Sequence, residues 1–226
     1  MWKNLRFWLY RLWVVDCVGC GSLVVHPRGL CLSCEYGILD QYLSSAEQAE
    51  ELEKSGLRFR YLFRWVPGAS DVLSKYVYLL KSPVAEPLWH ELARYFVSLK
   101  GISRDQKIVF VPIPSRKKRK HSLYFAQALA EQCEGVVLEL LSIDDSDELE
   151  QKVKNKEQRS KVSFTLNEEI TEQMRLDHSL VVVDDVITTG ASFEAAYNVL
   201  KWMRVCPKNI ELWAAFRRET MSIDFE

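Results

Sequence analysis

Four cysteines near the start of the chain have the spacing of a metal site. Cys17 and Cys20 form one C-x-x-C pair, and Cys31 and Cys34 form a second pair after a gap of ten residues. Each pair can wrap around one metal ion, and two pairs together supply a closed tetrahedral shell of thiolates. We therefore predict that this cysteine cluster is a structural zinc site with no open position for chemistry. Unconnected buried or redox-active cysteines and an iron–sulfur cluster are the alternatives.

A second stretch combines an apolar strand, two carboxylates and a turn of small residues. Asp184 and Asp185, the acid pair, directly follow the run 181–183, and the turn after them opens a helix. The turn contains Thr188, Thr189, Gly190, Ala191 and Ser192. The free N–H groups and the positive end of that helix can bind a phosphate, and carboxylates at the end of a parallel strand lie where α/β sheets bind ligands. The pattern predicts an anion cradle beside a clamp for a polyol or a metal ion.

The elements that must position these groups follow from hydrophobic periodicity. From about residue 107 onward, apolar runs alternate with amphipathic segments, which predicts a parallel sheet covered by helices. We predict strands over 107–111, 135–141, 180–184 and 209–216, and helices over 122–132 and 192–203.

The part of the chain before residue 107 has a different pattern. Residues 41–100 are predicted to be helical, with an exposed charged segment over 46–54 and an apolar face on 89–99. We divide the chain into an N-terminal module over residues 1–40, which holds an aromatic helix and the cysteine cluster, and a larger domain over residues 41–226.

The composition limits the class of protein. The chain has 226 residues, a formal net charge of −1 and 48% hydrophobic residues, which indicates a folded protein and excludes a uniformly basic nucleic-acid binder. No apolar run is long enough for a membrane span, and no signal-peptide cleavage pattern follows the aromatic start, so we expect a cytoplasmic protein that is not integral to a membrane. The first fifteen residues are expected to dock as a helix on the body, or else to contact a partner or a membrane surface.

The stretch V-V-V-D-D-V-I-T-T-G-A-S resembles the binding signature of type I phosphoribosyltransferases, which recognise 5-phosphoribosyl-1-pyrophosphate (PRPP). The resemblance implies that Asp184 and Asp185 are the catalytic-site acids and hold the ribose 2′- and 3′-hydroxyls. It also implies that the backbone of the turn 188–192 holds the 5′-phosphate. Mg²⁺ would bridge the pyrophosphate and ribose oxygens.

Together, the two motifs resemble the ComF family of competence-associated, phosphoribosyltransferase-like proteins. That resemblance implies an α/β fold, a type I phosphoribosyltransferase-like parallel sheet with flanking helices, plus a small N-terminal zinc-binding module. It further implies that the turn V-P-I-P at 111–114 begins a pyrophosphate loop. The implied ligand-binding residues are Pro114, Ser115, Arg116 and Lys81, and the implied flexible-loop residues are Gln151 and Arg159.

A run of basic residues follows the implied pyrophosphate loop. Five cations occupy residues 116–120. They are solvated loop charges, or they capture pyrophosphate, or they contact a nucleic-acid backbone, in which case DNA affinity would fall steeply with salt. The residues assigned to nucleic-acid contact are Lys117, Lys118, Arg119 and Lys120.

These observations lead to two functional hypotheses. The first is a PRPP-binding phosphoribosyltransferase-like protein that works in natural competence, DNA uptake and transformation. The second is a non-enzymatic, PRPP-sensing adaptor that binds single-stranded DNA or other transformation proteins. Residues 123–127 read L-Y-F-A-Q where the family usually has R-G-F-N-Q, which favours the adaptor. A nucleotide-salvage enzyme is a third option that leaves the cysteine cluster unexplained, and a dimer is one oligomeric state to test.

Overall fold

The computed structural model describes residues 14–25, 29–42, 50–52, 57–67, 71–82, 86–103, 107–115, 119–143, 163–171, 179–201 and 210–219. Within these residues the strands, in chain order, are β1 (Val14–Asp16), β2 (Leu23–Val25), β3 (Glu50–Leu52), β4 (Leu57–Trp65), β5 (Ile108–Pro112), β6 (Val136–Val137), β7 (Leu141–Ile143), β8 (Phe164–Leu166), β9 (Ser179–Ile187) and β10 (Ile210–Arg218). The helices are α1 (Leu32–Tyr42), α2 (Val72–Leu80), α3 (Glu86–Leu99), α4 (His121–Cys133), α5 (Glu168–Thr171) and α6 (Ala191–Leu200).

A six-stranded sheet in the order β3-β4-β10-β9-β5-β6 forms the centre of the protein. Adjacent strands of this sheet run parallel, except that β3 pairs antiparallel with β4 at one edge. Two of the inner strands, β5 and β9, are buried over 108–112 and 180–183, as expected for parallel strands covered on both faces. The predicted parallel α/β sheet with flanking helices is therefore confirmed.

The prediction that residues 41–100 are helical is wrong in part, because β3 and β4 lie in this range and the segment predicted as an exposed helix includes β3. The sequence of β4 reads L-R-F-R-Y-L-F-R-W, in which large apolar side chains fall on alternate positions and three of the four positions between them are arginines. This period of two is the signal of a strand. Tyr61 pairs with Ala214 of β10, so β4 is an integral strand of the sheet.

Helix α3 agrees with the prediction for its segment. Its buried residues are Leu88, Trp89, Leu92, Ala93, Phe96 and Val97. The ring of Phe96 packs against Phe125 of α4 and Trp213 of β10, with centroid distances of 5.8 and 5.2 Å. These aromatic contacts hold α3 and α4 together on one face of the sheet.

Strand β6 is shorter than predicted because the chain turns sharply before and after it. Glu134 ends α4 with φ of 58°, and a Cβ at Gly135 would lie 2.7 Å from the Phe110 ring. The predicted strand over 135–141 is therefore divided between β6 and β7, and β7 pairs with β8 in a separate two-stranded sheet.

Among the described residues up to 42, the β1–β2 hairpin is followed by α1. Cys17, Leu30 and Ile38 are buried in the same apolar cluster as Phe63 and Leu73 of the larger domain. Tyr95 of α3 donates a hydrogen bond to Glu35 of α1. The described helices include none that is both long and apolar enough to cross a membrane.

Candidate functional site

The acid pair lies toward the carboxyl end of β9, beside the end of β5. Asp184 is in register with Ala214 of β10, and the chain leaving β5 is tied to β9 by a 2.9 Å hydrogen bond from the Ile113 N–H to the Val183 carbonyl. The carboxylates thus lie where open α/β sheets bind ligands. Their backbone is fixed by the paired strands, because β9 has a parallel neighbour on each side.

The first turn of α4 supplies a side chain to each carboxylate. The Ser122 hydroxyl donates to Asp184 Oδ1 at 2.9 Å, and His121 Nδ1 lies 3.4 Å from Asp185 Oδ2. The backbone completes the arrangement, because the Asp185 N–H donates to Asp184 Oδ1 at 2.8 Å and the Val186 N–H donates to Asp185 Oδ1 at 3.0 Å. The two acids are therefore held by three hydrogen bonds and by the close contact with His121.

These surroundings shift the pKa values of the two acids in opposite directions. Burial, followed by the negative charge of Asp185, raises the pKa of Asp184 well above its usual range. Burial also acts to raise the pKa of Asp185, but the hydrogen bond with His121, that with Asp184 and the positive charge of Lys81 outweigh it, so its pKa is lowered. Adjacent acids with divergent pKa values are typical of functional sites.

A cleft of about 250 Å³ opens at the acid pair. The residues that line it are Lys81, Ile113, Pro114, Ser115, Arg119, His121, Ser122, Asp184, Asp185 and Ser192. Five segments therefore converge: the end of α2, the chain after β5, the start of α4, the end of β9 and the start of α6. We call this site the acid-pair cleft.

Several residues predicted from separate motifs meet in this cleft. Lys81, Pro114 and Ser115 line it together with the acid pair. Lys81 ends α2, and its Nζ lies 5.4 Å from the centre of the Trp65 ring. The quadrupole of an aromatic ring attracts a cation above its face, so the Lys81 side chain lies at the cleft with a defined direction.

The predicted phosphate turn joins β9 to α6. Gly190 is buried and begins the helix with φ of 77°, a conformation that favours glycine. Thr188, Thr189 and Ala191 are exposed, the Ala191 N–H lies 3.4 Å from Thr189 Oγ1, and Ser192 reaches the cleft. Gly190 offers no side-chain acceptor, and the one side-chain bond at this helix start is the long bond from the Ala191 N–H to Thr189 Oγ1, so the following N–H groups could bind an anion.

Sequence reasoning missed His121 and Ser122, and it left Arg119 open between a solvated charge, pyrophosphate capture and nucleic-acid contact. All three line the cleft. The available signal was their place in the chain, because they follow a strand-to-helix loop of an α/β unit and Ser122 lies in the first helical turn, where hydroxyls are common. Lys120 is exposed at the start of α4. Arg116, Lys117, Lys118, Gln151 and Arg159 lie outside the described residues, as does the aromatic segment 1–13.

The cysteine cluster is assembled by the β1–β2 turn and the start of α1. The Sγ atoms of Cys17, Cys20, Cys31 and Cys34 all lie within 4.8 Å of one another, and those of Cys20 and Cys31 are 3.6 Å apart. A tetrahedral zinc with bonds of about 2.3 Å requires sulfurs about 3.8 Å apart. Both the thiol donors and their spacing therefore fit a zinc ion.

Backbone groups shape the cysteine cluster. A Cβ on Gly19 would lie 2.6 Å from the Sγ of Cys34, so only glycine leaves room at this position. The Cys31 N–H donates to Cys17 Sγ at 3.3 Å, which is the type of bond that stabilises a metal-bound thiolate. The fold thus delivers hydrogen-bond donors as well as sulfurs.

The thiols of the cluster differ in acidity. Burial acts to raise the pKa of Cys17, but backbone donors from Cys20, Cys31 and Gly19 outweigh it and lower this pKa. The Ser22 hydroxyl, 3.1 Å from Cys20 Sγ, lowers the pKa of Cys20 to about 6. Burial, followed by the neighbouring sulfurs, raises the pKa of Cys34 to about 12.

The chemical reading of both sites rests on these contacts and on the sequence patterns. In comparisons with protein-family models and with curated proteins, the sequence matches none of them.

Proposed function

We propose that this protein binds PRPP in the acid-pair cleft as a phosphoribosyltransferase-like protein, with a structural zinc ion in the cysteine cluster. A role in natural competence and DNA uptake is part of the proposal and rests on the sequence resemblance alone. The convergence of the cleft carries the proposal, because the acid pair, the glycine-capped helix, Lys81 and the Pro114–Ser115 turn were singled out separately and line one site or its edge.

Each part of the cleft suits one part of PRPP. Asp184 and Asp185 offer carboxylate oxygens to a pair of ribose hydroxyls. The start of α6, with Ser192, offers N–H groups and a hydroxyl to the 5′-phosphate. Lys81 and Arg119 supply positive charge for a pyrophosphate group, which lies at the opposite end of the sugar from the 5′-phosphate.

Mg²⁺ would accompany the pyrophosphate and neutralise part of its charge when bound. In a transfer reaction, the bond between ribose C1 and the pyrophosphate oxygen breaks, the electron pair leaves with pyrophosphate, and an acceptor nucleophile forms the new bond at C1. The residues of this chain would hold the sugar through the acid pair, fix the phosphate at α6 and stabilise the leaving charge with Lys81 and Arg119.

Calorimetry with PRPP and Mg²⁺ tests the ligand. We expect the wild type to bind PRPP more tightly than ribose 5-phosphate or pyrophosphate alone, because only PRPP contacts the acids, the helix and the cations together. Asp185→Asn should weaken PRPP binding about 10- to 100-fold, since a hydrogen bond to a charged group contributes roughly 1.5–3 kcal/mol. No heat with the wild type would contradict the assignment.

A matched control separates the cleft from the general surface. Glu131 of α4 is an acid on the same protein that pairs with His90 at 3.2 Å and does not line the cleft. Glu131→Gln removes the same charge as Asp185→Asn and should leave PRPP affinity unchanged. If both variants lose affinity equally, net charge and not the acid pair controls binding.

A further inference from the structure

The first turn of α4 contributes a histidine to the acid-pair cleft. His121 lines the cleft, its side chain is 12% exposed, and its Nδ1 lies 3.4 Å from Asp185 Oδ2. None of the roles assigned so far uses this side chain. It is the neighbour of Ser122, which donates to the other acid.

The orientation of the imidazole is restricted by its surroundings. The ring stacks on Trp89 of α3, with planes 24° apart and centroids 6.4 Å apart. Trp89 is itself 1% exposed and packs against Phe125 of α4. The imidazole is therefore backed by a rigid aromatic wall and presents Nδ1 to the carboxylate from a fixed direction.

The hydrogen-bond capacity of Asp185 shows what this contact does. A carboxylate has about four acceptor positions, two on each oxygen. The Val186 N–H occupies one on Oδ1 and His121 occupies one on Oδ2. These two contacts restrict the plane of the carboxylate. When the hydrogen bond with Asp184 is counted as well, one acceptor position remains for a hydroxyl group of a ligand.

Charged groups near Asp185 complete the arrangement. Asp184 adds negative charge beside it, whereas Lys81 supplies positive charge from the end of α2. Without a donor beside it, the pKa of Asp185 would be raised by the repulsion between the two carboxylates, as the pKa of Asp184 is. The histidine contact is the first favourable contribution to the lowered pKa of Asp185.

We propose that His121 is a positioning residue, which holds the Asp185 carboxylate in place as an acceptor for a hydroxyl group of the bound sugar. The inference rests on the proposed function for the identity of the sugar, but the contact itself belongs to the protein alone. It predicts that the donor at the Nδ1 position matters, and that the aromatic ring by itself does not.

Two substitutions separate the donor from the ring. His121→Phe keeps an aromatic ring against Trp89 and removes the donor, whereas His121→Asn keeps a donor near the Nδ1 position and removes the ring. We expect His121→Phe to weaken PRPP binding at least fivefold in calorimetry with Mg²⁺. His121→Asn should recover most of that loss. The matched control is His90→Phe, because His90 lies on α3 outside the cleft and should leave the affinity unchanged.

A second measurement needs no ligand. Carbon-detected NMR titration of the Asp185 carboxyl should show a higher pKa in His121→Phe than in the wild type and a value close to wild type in His121→Asn. An unchanged Asp185 pKa in His121→Phe overturns the inference, whether or not PRPP binds. Equal loss in the Phe and Asn variants also overturns it, because the donor would then not be the active feature. A wild type that binds no PRPP but shows the expected pKa changes refutes the ligand and keeps the positioning role.

Discussion

The cysteine cluster and the acid-pair cleft both hold groups of like charge close together, but they stabilise these groups in different ways. Each crowds groups that carry like charge when ionised, and each separates their pKa values, with Cys20 and Asp185 shifted down and Cys34 and Asp184 shifted up. The cluster takes all of its donors from residues 17–34, which a single short module folds together. The cleft takes its lining from five segments between residues 81 and 192.

The difference teaches where each site obtains its stability. A cation bound among the sulfurs would relieve the mutual repulsion of the thiolates in the cluster, so metal and module should fold together. The acids of the cleft are relieved by Ser122, His121 and Lys81, which belong to the protein. Removal of one group should therefore disrupt the cluster as a whole but shift the cleft only locally.

The largest expected effect is the loss of zinc from the cluster. Cys17→Ser removes a buried ligand, and structural zinc contributes roughly 10–16 kcal/mol in small zinc domains. We expect less than stoichiometric zinc by elemental analysis and a clear fall in Tm. Cys133→Ala is the control, because Cys133 is a buried thiol outside the cluster, and it should retain one zinc per chain. Full zinc retention in Cys17→Ser would falsify the metal site.

The second expected effect is that substitutions of the two acids change Tm in opposite directions. Because the pKa of Asp184 is raised, its ionised form costs stability at neutral pH, so Asp184→Asn should raise Tm by about 2–4 °C. This gain should shrink as the pH falls through the raised pKa toward 3.8, since wild-type Asp184 then becomes neutral. Thermal unfolding between pH 4 and 8 measures both.

Asp185→Asn should change Tm in the opposite direction to Asp184→Asn. The lowered pKa of Asp185 means that its ionised form stabilises the fold above its unfolded pKa, and this contribution is lost as the pH falls through the folded pKa. We therefore expect Asp185→Asn to lower Tm at neutral pH. Equal shifts in the two variants would show that the acids are not differentiated by their surroundings.

A smaller effect is expected at the hydroxyl that supports Asp184. Ser122→Ala removes the 2.9 Å hydrogen bond and should cost about 1 kcal/mol of unfolding free energy at neutral pH. The loss should decrease in an Asp184→Asn background, because the acceptor is then uncharged. A double-mutant cycle by chemical denaturation measures the coupling. Strictly additive effects of the two substitutions would exclude a coupling between Ser122 and Asp184.

The smallest effect distinguishes the cleft from the nucleic-acid hypothesis. Arg119 lines the cleft and Lys120 does not, although both are exposed and adjacent. Arg119→Ala should weaken PRPP binding severalfold, and Lys120→Ala should change it less than twofold. Single-stranded DNA binding across a salt series provides the contrast. Equal losses of DNA affinity and salt slope in both variants would favour the adaptor instead.

The sequence predicted the cluster almost completely because its information is local. Two C-x-x-C pairs specify ligands, geometry and closure within eighteen residues. The acid pair and its turn were predicted for the same reason, since strand, acids and helix start are contiguous. His121 and Ser122 escaped prediction because their partners lie 64 and 62 residues away, and no short-range pattern records which helix start meets which strand end.

The fold shows the same division. Helix α3 was predicted with its buried face, because period and burial agree along one segment. Strand β4 was missed even though its alternation is visible in the sequence, because one helical interpretation was applied to all of residues 41–100, of which the later part does form α2 and α3. The place of β4 in the sheet depends on its pairing with β10, and the residues of β4 alone do not specify that partner.

Helix α3 carries one last consequence. Tyr95 near its end contacts Glu35, the residue after Cys34, and Trp89 near its start backs His121. The two contact residues are six positions apart, about 9 Å along the helix axis. Fewer than two helical turns therefore contact the cysteine-cluster module at one end and the acid-pair cleft at the other. Any variant designed for one site must be checked at both, with zinc content measured beside every affinity.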